Sequence, residues 1–148
     1  MLVYSSPVLD EPADVTGNLQ AQIWIETDVL DTDIAVRLTD VYTDGRSMLV
    51  TDGIARPRFR SSPDFSSEEF LQGGVPVMLT VDLGPTSISF NTGHSIRISI
   101  TSSNAPRFEP NPNTGAMYLE EGVVVEVAHT TILHSADHPS AIILPVKP

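Results

Sequence analysis

The chain contains no cysteine. This absence excludes a disulfide framework, a thiolate nucleophile and a thiolate metal site, and it leaves the redox compartment open. The N-terminus lacks the basic and then apolar order of a signal peptide, which slightly favours the cytoplasm. No apolar run approaches the roughly 20 residues that a membrane-spanning helix needs, so we expect no membrane association.

Positive charge is scarce. Eight Lys and Arg residues stand against 19 Asp and Glu, which gives a formal net charge of −11. A nucleic-acid surface needs clustered cations, so this balance argues against nucleic acid as a partner. Arg56, Arg58 and Arg60 recur at every second position, which predicts a stripe on one strand face. We expect the stripe either to pair with the chain's own carboxylates or to dock onto another domain.

A convincing helical period is also missing, apart from one possible turn at 66–71. Hydrophobic residues make up 41% of the 148 residues, which suits one globular domain, 1–148, with a core. Strand-like runs separated by Gly and Pro lie at 2–6, 17–27, 34–39, 48–60, 75–83, 87–90, 95–102, 123–133 and 141–146. This pattern predicts an all-β fold, an antiparallel jelly-roll β-sandwich.

The segment 31–60 carries the clearest local signal. Ile34, Val36 and Leu38 alternate with polar or small residues, and Asp44-Gly45 then turns the chain. Because glycine accepts the positive φ of a tight turn, we expect an antiparallel hairpin here. Gly53, in the middle of the second run, predicts a bulge or a corner between sheets.

Catalytic motifs are missing as well. No Gly-x-Ser-x-Gly elbow occurs, and the nearest string, which runs from Gly93 to Arg97, lacks the closing glycine. Ile96, Ile98 and Ile100 in that region read as a strand with a core-facing side. Serine, histidine and aspartate all occur, but in a chain of this composition their presence is expected by chance and does not indicate a triad. We therefore expect no catalysis by this chain on its own.

Two groups of side chains offer ligands for a metal ion. His129, His134, Asp137 and His138 could bind zinc, but the residue before Pro139 favours an extended loop over the helix that would align them. A second group of carboxylates crowds the hairpin and could bind calcium: Asp31, Asp33, Asp40, Asp44 and Asp52. Turn formation and edge-strand charge explain the same residues, so we expect neither a metal nor a cofactor.

Trp24 is the most informative single residue. Leu19, Ala21, Ile23 and Ile25 form the apolar face of its run, which leaves Trp24 with Gln20, Gln22 and Glu26 on the other face. The lone tryptophan is therefore expected to point away from the core. An aromatic side chain on a polar face marks either a covering loop or a docking site.

Four ordered segments carry a family resemblance: VYSSPVL, the run from Asp14 to Arg60 that contains QAQIWIETDVLDTDIAVRLTD, GHSIRISITSSNAPRFEPNPNTG, and HPSAIILPV. Together they span nearly the whole chain. The sequence resembles the C-terminal, non-catalytic domain of X-Pro dipeptidyl-peptidases and of cocaine-esterase-like (CocE/NonD) acyl esterases. The resemblance implies a jelly roll similar to galactose-binding and carbohydrate-binding modules.

In that family the sandwich accompanies an α/β-hydrolase domain that carries the Ser-His-Asp triad, so the resemblance implies a domain excised from a longer serine hydrolase. No triad residue carries over to this chain. The resemblance places the strand around Trp24 near the substrate pocket, whereas Ile23 alternates inward. It also implies that the 103–108 segment lies at a domain interface.

We therefore expect an accessory domain that shapes the substrate pocket of an esterase or peptidase and stabilises its hydrolase domain. A carbohydrate-binding module is one alternative, weakened by the single tryptophan, and a self-associating structural domain that forms a homodimer is another. The residues expected at the pocket wall or docking surface are Gln22, Trp24, Arg37, Arg56, Arg58, Arg60, Asn104, Arg107 and Phe108.

Overall fold

The computed structural model describes residues 1–62 and 64–147. Its elements are β1 (Leu2–Ser5), β2 (Ala13–Thr27), β3 (Ile34–Val41), β4 (Ser47–Ala55), a 3₁₀ turn (Pro57–Phe59), β5 (Val77–Phe90), β6 (Ser95–Thr101), β7 (Thr130–Leu133) and β8 (Ala141–Ile143). No α-helix occurs among these residues, so none could cross a membrane as a helix. The helical turn predicted at 66–71 is wrong, because that segment is irregular.

Two antiparallel sheets pack face to face. Sheet A has the order β1-β6-β3-β4, and sheet B has the order β5-β2-β7, with β8 pairing β2 farther along the same edge. The all-β sandwich is therefore confirmed, while the jelly-roll connectivity stays a prediction. The core lies between the sheets and is built from the side chains of 13 strand residues and Leu71: Val15, Leu19, Ala21, Ile23, Ile25, Ile34, Val36, Leu38, Leu79, Val81, Leu83, Phe90 and Ile100.

The predicted hairpin forms between β3 and β4. Gly45 has φ +87°, and its N–H donates to the Tyr42 carbonyl at 2.9 Å. Asp44 accepts the Arg46 backbone N–H at 3.1 Å, which fixes the turn locally. The register slips between Leu38 and Thr39.

Gly53 has a different role from the bulge predicted at its position, because its neighbours pair in regular register. A Cβ at Gly53 would lie 2.0 Å from the Asp82 carbonyl oxygen on β5. Glycine therefore allows β4 and β5 to approach closely at this edge of the sandwich. The Thr51 hydroxyl donates to the Leu83 carbonyl at 2.6 Å and holds the same contact.

Several predicted strands have different bounds in the structure. The runs 75–83 and 87–90 are one strand, β5, which passes through Gly84 at φ +73° opposite a register shift in β2. The run 123–133 pairs only at β7, because its partner β2 ends at Thr27, opposite Thr130. Residues 123–129 have no strand assignment, and Val124 and Val127 are exposed.

Candidate functional site

The alternation predicted along β2 is confirmed. Leu19, Ala21, Ile23 and Ile25 are at most 1% exposed, whereas Trp24 lies half-buried on the outer face of sheet B. Ile23 faces the core. The register places Met78 of β5 and Leu133 of β7 beside Trp24. These side chains form an apolar patch around the indole, which we call the Trp24 face.

A loop that joins β7 to β8, residues 134–140, covers part of this face. The imidazole of His138 meets the indole edge to face, with ring centroids 4.7 Å apart. The Trp24 N–H of the backbone donates to Ser140 Oγ at 2.8 Å, and Ser140 Oγ donates to the Leu133 carbonyl. The Ser140 hydroxyl therefore joins β2 and β7 where the two short edge strands leave a gap. The loop therefore covers the indole only in part, and Trp24 remains half-buried.

The arginine stripe is not a stripe in the structure. β4 ends at Ala55, and Pro57 starts the 3₁₀ turn that contains Arg58, so the period of two breaks there. Proline fixes φ and has no N–H to donate to a strand ladder, which explains the change. Arg58 and Arg60 pair with Asp31 and Glu69, while Arg56 pairs with Asp33 and also lies 3.8 Å from Asp31.

Arg58 and Asp31 form the centre of a buried polar network. The Arg58 side chain is 1% exposed, and its Nε and Nη2 donate to Asp31 Oδ2 at 2.9 and 2.7 Å. Asn111 Nδ2 donates to the same oxygen at 2.8 Å. The Phe70 ring stacks against the guanidinium, whose carbon lies 4.9 Å from the ring centroid. Loops that are distant in sequence are joined through this one carboxylate.

Arg56 extends the network to Asp33. It donates to both carboxylate oxygens, at 2.8 and 3.1 Å, and to the Met117 carbonyl at 2.9 Å. The bidentate hydrogen bond that Arg56 donates to the Asp33 carboxylate raises the pKa of the Arg56 guanidinium above its ordinary value. Arg60 donates to the Glu69 carbonyl at 2.6 Å and pairs with the Glu69 carboxylate. All three arginines therefore pair with carboxylates of the chain itself.

The candidate metal ligands are engaged in other contacts. Asp31 and Asp33 bind guanidinium groups, which supply the positive charge that a calcium ion would bring. His134 packs edge to face against Tyr4, and His138 packs edge to face against Trp24. In the two ranges that the structure describes, no three His, Cys, Asp or Glu side chains group closely enough to hold a metal ion. Neither candidate group therefore comes together as a cluster of metal ligands among the described residues.

Asp40 binds a residue that the sequence did not connect to it. Both carboxylate oxygens accept from Nδ1 of His94, at 2.8 and 3.0 Å, and both residues are buried. The Tyr42 ring lies 4.4 Å from the imidazole. Neighbouring strands in sheet A create this pair, because β3 and β6 align Asp40 with Ile96 next to the His94 turn. No motif in the sequence signals it.

A second polar group lies on the outer face of sheet A. Arg37 donates to Asn104, Asn104 Nδ2 donates to Asp52 Oδ2 at 2.9 Å, and Arg107 pairs with the same carboxylate. This group and the Trp24 face lie on opposite outer surfaces of the sandwich, since β3 and β2 belong to different sheets. The structure therefore does not bring the predicted site residues together into one surface.

Phe108 lies beside a third surface. With Phe59, Phe65 and Tyr118 it lines a groove of about 330 Å³ that also contains Arg56 and Glu109. The Phe59 and Phe65 rings meet edge to face at 5.1 Å. The groove therefore presents four aromatic rings and charged groups of both signs.

Comparison with known proteins settles the family. A model described as the X-Pro dipeptidyl-peptidase C-terminal non-catalytic domain matches residues 1–143. The chain belongs to this family. It is 33% identical over 147 residues to cocaine esterase from Rhodococcus sp. (strain MB1 Bresler), covering 99% of this chain and 25% of the esterase. The resemblance seen in the sequence is thereby confirmed, as is a non-catalytic β-sandwich.

Solved structures agree on the fold. An aminopeptidase from the marine sediment archaeon Thaumarchaeota archaeon is similar, with a TM-score of 0.91 and 25% identity over 99% of this chain and 26% of that one. An alpha-amino acid ester hydrolase has a TM-score of 0.91 and 27% identity, covering 99% of this chain and 25% of the hydrolase. The chain thus spans about a quarter of the length of these relatives.

Proposed function

We propose that this chain is the accessory domain of a longer serine hydrolase that acts on ester or amide bonds. In this proposal the Trp24 face forms one wall of the substrate pocket. The observation that carries it is the position of Trp24: a large apolar side chain, half-buried on an outer sheet face, with Met78 and Leu133 beside it. The longer hydrolases among its relatives support a partner for that face.

The wall would act by positioning. An apolar wall excludes water from the acyl or leaving group and restricts its orientation, and neither effect involves bond chemistry. Glu26 and Gln22 flank Trp24 on the same face of the strand, and Gln22, two residues before it, is the uncharged one of the two. We assign it the role of orienting a polar part of the substrate.

Steady-state kinetics on the proposed full-length hydrolase test this role. Trp24→Ala should raise KM for an ester substrate about tenfold, because the bound group loses apolar contact, and it should also lower kcat, because the remaining wall restricts the orientation of that group less. Gln20→Ala, at an exposed position on the same strand and the same outward side, is the matched control. Unchanged KM in Trp24→Ala, or equal effects of the two variants, would remove Trp24 from the pocket.

The chain alone should not turn over substrate. Purified chain incubated with a chromogenic acetate ester should hydrolyse it no faster than buffer does. Hydrolysis that a single substitution within residues 1–147 abolishes would contradict the proposal.

A second candidate function rests on the aromatic groove around Phe108. Aromatic rings stack on sugar faces, and Glu109 and Arg56 at the same groove offer hydrogen bonds to hydroxyl groups. Titration with simple sugars tests this carbohydrate-binding alternative. Saturable binding that Tyr118→Ala removes would support it, and no binding at millimolar sugar would end it.

We also propose two contacts that depend on the first proposal. The Arg37, Asn104 and Arg107 group would meet the hydrolase portion on the opposite surface from the Trp24 face, and the 61% exposed Arg107 side chain supports this. An uncovered Trp24 face would let the isolated chain form a homodimer. Light scattering across protein concentration tests the dimer, and a strict monomer at all concentrations would contradict it.

A further inference from the structure

The two sheets leave a cavity open along one edge. β4 packs beside β5 at the opposite edge, while β1 and β6 of sheet A face the short strands β7 and β8 of sheet B. Between them lies a cavity of about 470 Å³. This volume falls within the range of small-molecule sites, about 300 to 1,000 Å³. The cavity is on the inner side of sheet B, so it is separate from the Trp24 face.

The walls of the cavity are almost entirely aliphatic. Six isoleucines contribute to them: Ile23, Ile96, Ile98, Ile100, Ile132 and Ile142. Ile96 and Ile98 point inward like Val36 and Leu38 on the neighbouring strand, yet they are only half-buried where those two residues are fully buried. Core side chains are thus left in contact with the cavity instead of with the facing sheet. Filling the cavity would remove this apolar surface from water.

Polar groups meet the cavity mainly at its mouth. The hydroxyls of Ser6 and Ser140 already donate to backbone carbonyls and accept backbone N–H groups. Tyr4 and His134 span the opening edge to face, with ring centroids 6.1 Å apart. Within the part of the chain that the structure describes, the side-chain polar groups of these two residues make no hydrogen bond. They are available to a ligand that reaches the opening.

The charges of the chain limit the kind of ligand. None of the described residues that line the cavity is Asp, Glu, Lys or Arg. The lining itself offers a carboxylate or phosphate no cation, because the neighbouring Arg97 already donates its Nε–H to Ser5 Oγ at 2.8 Å, and an anion would meet a chain of formal net charge −11. An uncharged molecule with an apolar body and one polar end satisfies both the walls and the mouth.

We propose that this cavity is a binding site for an uncharged aliphatic molecule, an alcohol or ester of medium chain length. Its alkyl chain lies among the six isoleucines, and its oxygen meets Tyr4 and His134 at the opening. This site belongs to the chain itself and does not depend on a hydrolase partner, so the proposal stands or fails separately from the proposed function.

Isoleucine-methyl NMR on the purified chain provides a site-resolved test with 1-octanol as the probe. We expect saturable shifts at submillimolar 1-octanol for the six cavity isoleucines, with Ile34 of the core and the exposed Ile143 unchanged. Octanoate, which has the same chain length and a charge, should bind at least tenfold more weakly at neutral pH. Equal binding of the two probes, or shifts spread over all isoleucines, would overturn the proposal.

Filling the cavity provides the second arm. Ile98→Phe should weaken 1-octanol binding at least tenfold, and Ile142→Phe, on the short edge strand β8, is the alternative if the first variant does not fold. Leu49→Phe, at a 59% exposed position on β4, is the matched control and should bind like the parent chain. Retained binding in both filled variants would refute the site. Cavity methyl signals that shift on protein dilution would show a second copy in the cavity and would also refute it.

Discussion

Replacing Arg58 with methionine tests the buried network directly. The substitution keeps an unbranched apolar stem but removes the charged guanidinium group. Asp31, which is 0% exposed, then retains Asn111 at 2.8 Å and Arg56 at 3.8 Å. Breaking a buried ion pair from one side destabilises proteins by about 3 to 5 kcal/mol, because a buried charge loses its compensation. Since Arg56 and Asn111 remain, we expect about 3 kcal/mol.

Thermal and urea unfolding followed by circular dichroism measure this loss. For a chain of this length, about 3 kcal/mol corresponds to a fall of about 10 °C in Tm. The urea slope should stay constant, because the unfolded surface hardly changes. Arg46→Met is the matched control: it removes an exposed partner of Asp44, with 64% of the Arg46 side chain accessible, and should leave Tm nearly unchanged.

The double variant Asp31→Leu, Arg58→Met sharpens the test. Removing both charges leaves no unpaired buried ion, since the other partner of Arg58, Glu68, is 37% exposed, so the double variant should be more stable than Arg58→Met alone. If Arg58→Met unfolds at the same temperature as Arg46→Met, the reasoning about uncompensated buried charge is refuted. If the double variant is less stable than Arg58→Met, the destabilisation comes from lost packing and not from charge.

Two further outcomes follow from the structure. Gly53→Ala should lower the free energy of unfolding in urea by about 2 to 3 kcal/mol, because its Cβ would overlap the Asp82 carbonyl. Gly73→Ala, whose Cβ would lie 3.8 Å from its nearest neighbour, should be nearly neutral. Equal urea midpoints for the two variants would contradict this prediction. Stability should also fall as pH drops below about 4. Hydrogen bonds lower the pKa of three exposed carboxyls. Asp28 accepts from the backbone N–H and the imidazole of His129. Asp44 accepts from the backbone N–H and the guanidinium of Arg46, and Asp64 accepts from the hydroxyls of Ser62 and Ser66. A carboxyl whose pKa is lower in the folded state than in the unfolded state stabilises the fold at pH values above its unfolded-state pKa, and this contribution is lost as the pH falls through its folded-state pKa. Unfolding midpoints that stay constant from pH 5 to pH 3 would contradict the assignment.

The local features of the sheets could be predicted from the sequence because each depends on neighbouring residues. The period of two along β2 sets the inward direction of Ile23 and the outward direction of Trp24 without any knowledge of the topology. Asp44 and Gly45 specify their own turn through a side-chain hydrogen bond and a positive φ. Such signals are complete within a few residues of chain.

The arrangement of the site could not be predicted, because it depends on which strands share a sheet. Trp24 and Arg37 both alternate outward, and only the strand order places them on opposite surfaces. The period at Arg56, Arg58 and Arg60 predicts a strand, but Pro57 starts a 3₁₀ turn and Asp31 provides a buried partner for Arg58. Pairing across 27 residues leaves no local pattern.

The half-covered indole of Trp24 also gives the chain a built-in optical probe. Because this is the single tryptophan, all indole emission from the chain originates at the Trp24 face. The His138 ring shields one part of the indole and water reaches another part. A hydrolase portion that closes over the face would displace that water and shift the emission to the blue. The colour of the emitted light therefore reports whether the face is occupied, with no label added to the protein.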